Sequence, residues 1–147
     1  MRRAFAPLLL LAAALACRPQ APAPAAAPAA GEDGPLVTTL QVLAARGQVQ
    51  VALAVTNASA APVVLEFRSA QRYDFAVQDG ERTLWRWSEG RGFAQAVGAD
   101  TLPPGVTRSW SESWTPSPGH AGREFTAVGT LTAANLPREQ RSAFRIP

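Results

Sequence analysis

From residue 36 onward the chain is written in a period of two. QVQVALAVTN (48–57) places Val49, Val51, Leu53 and Val55 on one side of an extended backbone and Gln48 and Gln50 on the other, the pattern of a strand with one buried face. LVTTLQVLAA (36–45) precedes it across Arg46-Gly47, a tight-turn candidate. After Asn57–Pro62 the alternation returns in VVLEF (63–67), then in YDFAVQD (73–79), TLWRW (83–87), VTRSWSESW (106–114), EFTAVGTLTA (124–133) and SAFRI (142–146). Gly, Pro, Asn and Asp separate these runs at short intervals, and no segment after residue 35 has the 3.6-residue period of an amphipathic helix. The pattern predicts an all-β domain, a sandwich or a barrel, over residues 36–147. That length suffices for one modest core.

The densest stretch is QRYDFAVQDGERTLWRWSEG (71–90), with two of the four Trp. Tyr73, Phe75 and Val77 share one face of their strand, and Trp85 and Trp87 share one face of the next. A two-residue turn at Asp79-Gly80 sets Val77 opposite Arg82 and turns both Trp away from Phe75. A three-residue loop sets Val77 against Trp85 and Phe75 against Trp87, gathering all five on one surface. Aromatic burial favours the second, since each ring buries about 150–250 Å². Tyr73, Phe75, Trp85 and Trp87, with Trp114, are therefore assigned to the core. Arg72, Asp74 and Arg86 are expected to point outward. With Ser88, Glu89, Arg91 and Phe93 of the following loop they form the candidate partner-binding set.

The N-terminus has a different composition. Arg2 and Arg3 precede an apolar run, AFAPLLLLAAALA (4–16), which ends in small residues just before Cys17, the layout of a signal peptide. As a helix the run reaches only about 20 Å, short of the roughly 30 Å hydrocarbon core. Cys17, the only cysteine, can form no intramolecular disulfide. Its place resembles the bacterial lipobox, in which the thiol is acylated, and acyl chains hold such a protein on a membrane. RPQAPAPAAAPAAGEDGP (18–35) has no large apolar residue and is expected to remain a disordered tether. The expected organisation is a signal peptide (1–16), a lipidated Cys17 with its tether (17–35), and a β-domain (36–147), exported and anchored in a bacterial cell envelope.

The sequence pI of 10.4 reflects fourteen basic residues that are all Arg. Without Arg2 and Arg3, twelve remain against eleven acids, interspersed through the domain, which leaves no electrostatic footprint for nucleic acid. His120 is the only histidine and lies in TPSPGHAG, a loop by composition. It has no nucleophile motif and no orienting acid beside it, and reads as a solvated loop residue. One His and one committed Cys supply no metal-ligand set, and the GRG at 90–92 lacks the strand, spacing and Lys of a phosphate loop. The chain reads as a non-enzyme without metal or cofactor.

LEFRSAQRYDFAVQDGERTLWRWSEGRGFAQAV (65–97), followed by TLPPG, a Trp-bearing strand and GREFTAVGTL, resembles the bacterial intracellular proteinase inhibitor (BsuPI) domain family. The resemblance lies in Ser69–Phe75, Trp85–Ser88, Phe93 with Gln95, the turn at Pro104-Gly105, and Trp114, and spans about residues 37–133. Ala70 and Val106 depart from it, standing where the family often has Gly and an acidic residue. It implies an immunoglobulin-like antiparallel β-sandwich of about seven to nine strands and inhibition of a subtilisin-type serine proteinase. The family's named activity is intracellular, whereas this chain carries an export signal. Two functions stay open: an envelope-tethered proteinase inhibitor, and a non-inhibitory adhesion or scaffolding module for an envelope protein or glycan. SEGRGF (88–93) and TPSPGHAGR (115–123) are the candidate contact loops.

Overall fold

The computed structural model describes residues 34–45 and 47–147. The expected signal peptide, Cys17, nearly all of the tether and Arg46 lie outside the described residues. The described residues form nine strands: β1 (Leu36–Ala45), β2 (Gln48–Asn57), β3 (Val63–Phe67), β4 (Tyr73–Asp79), β5 (Arg82–Arg86), β6 (Gly98–Leu102), β7 (Thr107–Trp114), β8 (Glu124–Leu131) and β9 (Arg138–Arg145). They are arranged in three antiparallel sheets, β1-β2-β7, β3-β6 and β5-β4-β8-β9. This is an all-β sandwich with a strand count inside the expected range.

The β1-β2 hairpin follows from its sequence: Ala45 pairs with Gln48 across a two-residue connection, and Gly47 takes a φ of 81°, a left-handed conformation that glycine adopts without strain. The alternating residues of β2 then face the opposite sheet, with Val49, Val51, Leu53 and Val55 at 0% exposure. They meet Phe75, Val77, Phe125, Ala127 and Leu131 in one core. Gly129 of β8 sits where the layers come closest: a Cβ there would lie 2.6 Å from Leu40 Cδ1 and 3.2 Å from Leu53 Cδ1.

The β3-β6 ribbon depends on side chains at both ends. Asn57, fully buried, donates through Nδ2 to the Ala61 and Leu102 carbonyls, both at 2.8 Å, and accepts from Ser59 N and Oγ at 2.9 and 2.7 Å. Its backbone N–H donates to the Val106 carbonyl, and its own carbonyl accepts from Gly105 N. One residue thus ties the end of β2 to the start of β3 and to the β6-β7 turn. On the other edge of β3, Asn135 donates to the Val64 carbonyl and accepts from Glu66 N, while Ala134 N donates to the Glu66 carbonyl.

Three differences from the sequence expectation go beyond one or two residues at a strand end. Strand β6, GADTL, was not predicted because it carries a single large apolar residue, Leu102. Strand β9 begins at Arg138 rather than Ser142, since its half-buried positions are Arg138, Gln140, Ser142 and Phe144, three of them polar. The third difference is the β4-β5 turn. Asp79 pairs with Arg82 across the two residues Gly80-Glu81, and Val77 still pairs with Trp85 because the register shifts between Val77 and Gln78. A bulge, not a three-residue loop, supplies the extra residue that turns the tryptophans inward.

Candidate protein-binding site

The aromatic stretch forms a row across one side of the sandwich. Tyr73 of β4 stacks between Trp110 of β7, at 5.5 Å between centroids, and Trp87, at 4.4 Å. Trp87 in turn meets Phe93 at 5.6 Å. Trp87 N donates to the Phe75 carbonyl, so Phe75 and Trp87 are neighbours as the sequence pattern predicted. The degree of burial differs among the five assigned aromatics: Phe75 and Trp114 are buried, whereas Tyr73, Trp85 and Trp87 are half-buried rings packed against the core. Tyr73 Oη donates to Glu112 Oε1 at 2.7 Å. Burial, with this hydrogen bond and the Glu112 charge adding to it, pushes the phenol up to about 12.

Asp74 corrects the expectation most clearly. On the alternating pattern it should face water, yet it is 8% exposed and organises the turn after β5. Its Oδ1 accepts from Phe75 N at 2.9 Å and from Ser88 N at 3.1 Å, and its Oδ2 accepts from Ser88 Oγ at 2.7 Å and from Arg86 Nη1 at 3.1 Å. A carboxylate can be buried here because every direction it offers meets a donor. Beyond Ser88 the turn is closed by Glu89 N to the Arg86 carbonyl and Arg91 N to the Ser88 carbonyl. Arg91 Nε donates to the Trp87 carbonyl at 2.8 Å, and its guanidinium lies 4.8 Å from the Trp87 ring centroid.

From Arg91 to Val97 the chain has no regular structure and is exposed except at Phe93. It is held at Phe93, by the contact with Trp87, and at Ala94, whose carbonyl accepts from Ala70 N at 2.9 Å. Val97, the last residue before β6, is 85% exposed. The result is an irregular segment anchored at its N-terminal half and open at its C-terminal half, and the candidate set read from the sequence ends at Phe93, short of the open part.

The structure brings Asp74, Arg86, Ser88, Glu89, Arg91 and Phe93 together around this turn, and it leaves Arg72 elsewhere. Arg72 is paired with Asp100 of β6 at 2.8 Å, donates to the Ser69 carbonyl, and lies 4.2 Å from the Phe67 ring centroid. The second loop, 115–123, is not an extended presentation. Pro118–His120 form a short 3-10 turn, and the segment is tied down by Gly122 N to the Ile146 carbonyl and Arg145 Nε to the Gly122 carbonyl. His120 is half-buried rather than solvated, with its ring 5.6 Å from Trp114 and 5.2 Å from Phe125.

The model of the intracellular proteinase inhibitor (BsuPI) family matches residues 36–136. The chain belongs to that family. The match takes in the whole aromatic row, the Asp74 clamp and the 88–97 segment, and it ends just before β9, which completes the sheet of the BsuPI domain. Among solved structures, the fold is similar to that of Spo0M, a sporulation control protein from Bacillus subtilis, with a TM-score of 0.50 and 12% identity. The likeness covers 78% of this chain and 50% of that one, so the chain spans about half the length of Spo0M. At that identity the likeness concerns the fold alone. A comparison with curated proteins gives no match.

Proposed function

We infer that the BsuPI domain is a proteinase inhibitor tethered to the bacterial cell envelope by a lipid on Cys17, with a subtilisin-type serine proteinase as its target and residues 88–97 as its contact. The single observation that carries this reading is the pairing of the family match with a turn and an exposed, irregular segment, 88–97, fixed at one end by Asp74, Trp87 and Ala70. A substrate-like inhibitor needs such a segment, because pre-ordering lowers the entropic cost of entering an enzyme cleft. The segment 115–123 has less support, since its backbone groups are tied to residues 145 and 146.

The adhesion or scaffolding reading has a weaker basis for a glycan ligand. A sugar-binding face requires aromatic rings open to solvent, whereas the Trp87 ring is bordered by Tyr73, Phe93 and Arg91. Two experiments test the proposal. Mass spectrometry of the membrane fraction should find an acylated peptide beginning at Cys17, with release of the protein or stalled processing in Cys17→Ser. An inhibition panel of subtilisin-type enzymes should find a target for the mature chain at micromolar concentration or below; no inhibition across the panel removes the inhibitor reading and leaves the binding module.

A further inference from the structure

Strands β6 and β7 follow one another in the chain, joined by the four residues 103–106, yet they do not pair: β6 is bonded to β3 alone and β7 to β2 alone. Between their open edges lies a cleft of about 200 Å³. Its floor is made of Leu65, Phe67 and Leu102, all buried in the core. Its two walls are the consecutive residues 100–102 of β6 and 108–110 of β7. Successive side chains of a strand point to opposite faces, so three in a row border one cavity only where the backbone edge itself forms the wall. Edge N–H and C=O groups with no ladder partner therefore face the cleft from both sides.

The cleft also carries one uncompensated positive charge. Arg108 pairs in register with Val55, which is 0% exposed, so its side chain starts on the core-facing side of β7, while the residue itself is exposed at the rim of the cleft. It has no hydrogen bond or ion pair among the described residues. The other cation in the cleft, Arg72, is neutralised by Asp100 at 2.8 Å.

We propose that this cleft captures the C-terminal end of an extended peptide, with its backbone laid along the β6 and β7 edges, its last side chain on the Leu65–Phe67–Leu102 floor and its terminal carboxylate on Arg108. The three parts of the site select the ligand. Open edges recognise a backbone, the apolar floor an aliphatic side chain, and an unpaired guanidinium a carboxylate. A fatty acid offers the last two without the first. The site is independent of the inhibitor reading, because it stands on different residues from the 88–97 segment.

The test is titration calorimetry of the mature full-length chain with acetyl-Ala-Val-Thr-Leu bearing a free carboxylate, the same peptide as its C-terminal amide, and octanoate. The free acid should bind at least about tenfold more tightly than the amide, the scale set by one charge-assisted hydrogen bond. Arg108→Gln should abolish that preference, and with no ion pair to lose it should leave the unfolding midpoint unchanged. Octanoate should bind more weakly than the free acid by a similar factor. Equal binding of acid and amide, a preference that survives Arg108→Gln, octanoate binding as tight as the peptide's, or no peptide binding each overturns the proposal. The first and last would leave Arg108 as a charge that only keeps the β7 edge from pairing with other chains.

Discussion

Asp74 and Ser88 are joined twice, through Oδ2 to the serine hydroxyl at 2.7 Å and through Oδ1 to its backbone N–H at 3.1 Å. A residue of the central strand β4 thereby fixes the first residue of the loop that follows β5. Asp74→Ala removes four accepted hydrogen bonds from a nearly buried site and leaves donors without acceptors, so it should lower stability by about 2–4 kcal/mol. Urea unfolding measures the loss. Limited proteolysis should show new cutting within 88–97 before the rest of the domain opens.

Asn57 makes four side-chain hydrogen bonds at 0% exposure. Asn57→Ala takes the side-chain donor from the buried Leu102 carbonyl and the acceptor from Ser59 N and should cost about 2–4 kcal/mol. Amide hydrogen exchange should locate the loss in β3 and β6, with β8 still protected at sub-denaturing urea.

Phe75, 1% exposed within the core, should cost about 3–5 kcal/mol when truncated to Ala. Trp85 is half-buried, and its truncation should cost measurably less in the same urea series. Equal losses would mean that Trp85 packs as deeply as Phe75.

Tyr73 is the chain's only tyrosine, so its ionisation can be read directly by absorbance near 295 nm. With its folded value raised from 10.0 to about 12, the protonated form is the one that the fold favours. The associated stability is complete below pH 10 and is lost as pH rises through 12. Tyrosinate should appear near pH 12 in the folded chain and near pH 10 in denaturant, and Tyr73→Phe should remove this part of the alkaline destabilisation. A folded-state midpoint near 10 would contradict the burial of the Tyr73 phenol and its contact with Glu112.

What the sequence revealed and what it hid divide along physical lines. Strands whose large apolar residues alternate, such as β2 and β4, were legible because burying one face enforces the period. Strand β6 was not, since its pairing with β3 is backbone bonding that leaves little mark on GADTL. The alternation rule also misplaced Asp74: it assumes one wet face, and β4 is buried on both sides from Asp74 to Val77. The bulge in the β4-β5 hairpin left no signal beyond the aromatic pairing that it permits. At the site, Ser88, Arg91 and Phe93 were legible through the resemblance, whereas the reach of the exposed segment to Val97 and the open cleft beside Arg108 arise only from tertiary arrangement.

The central claim is that the domain meets a proteinase through residues 88–97. The measurement is the inhibition constant of the mature chain against its best subtilisin-type target, compared with Arg91→Ala, Val97→Asp and Pro118→Gly. Val97 is 85% exposed, so its replacement should leave the urea midpoint within about 0.5 kcal/mol of wild type. The account predicts inhibition by wild type and Pro118→Gly alike, with at least about tenfold weakening by Val97→Asp as a charge enters the enzyme's cleft. Arg91→Ala should weaken inhibition less, through loss of the brace on Trp87. Undiminished inhibition by Val97→Asp, or weakening confined to Pro118→Gly, would contradict it.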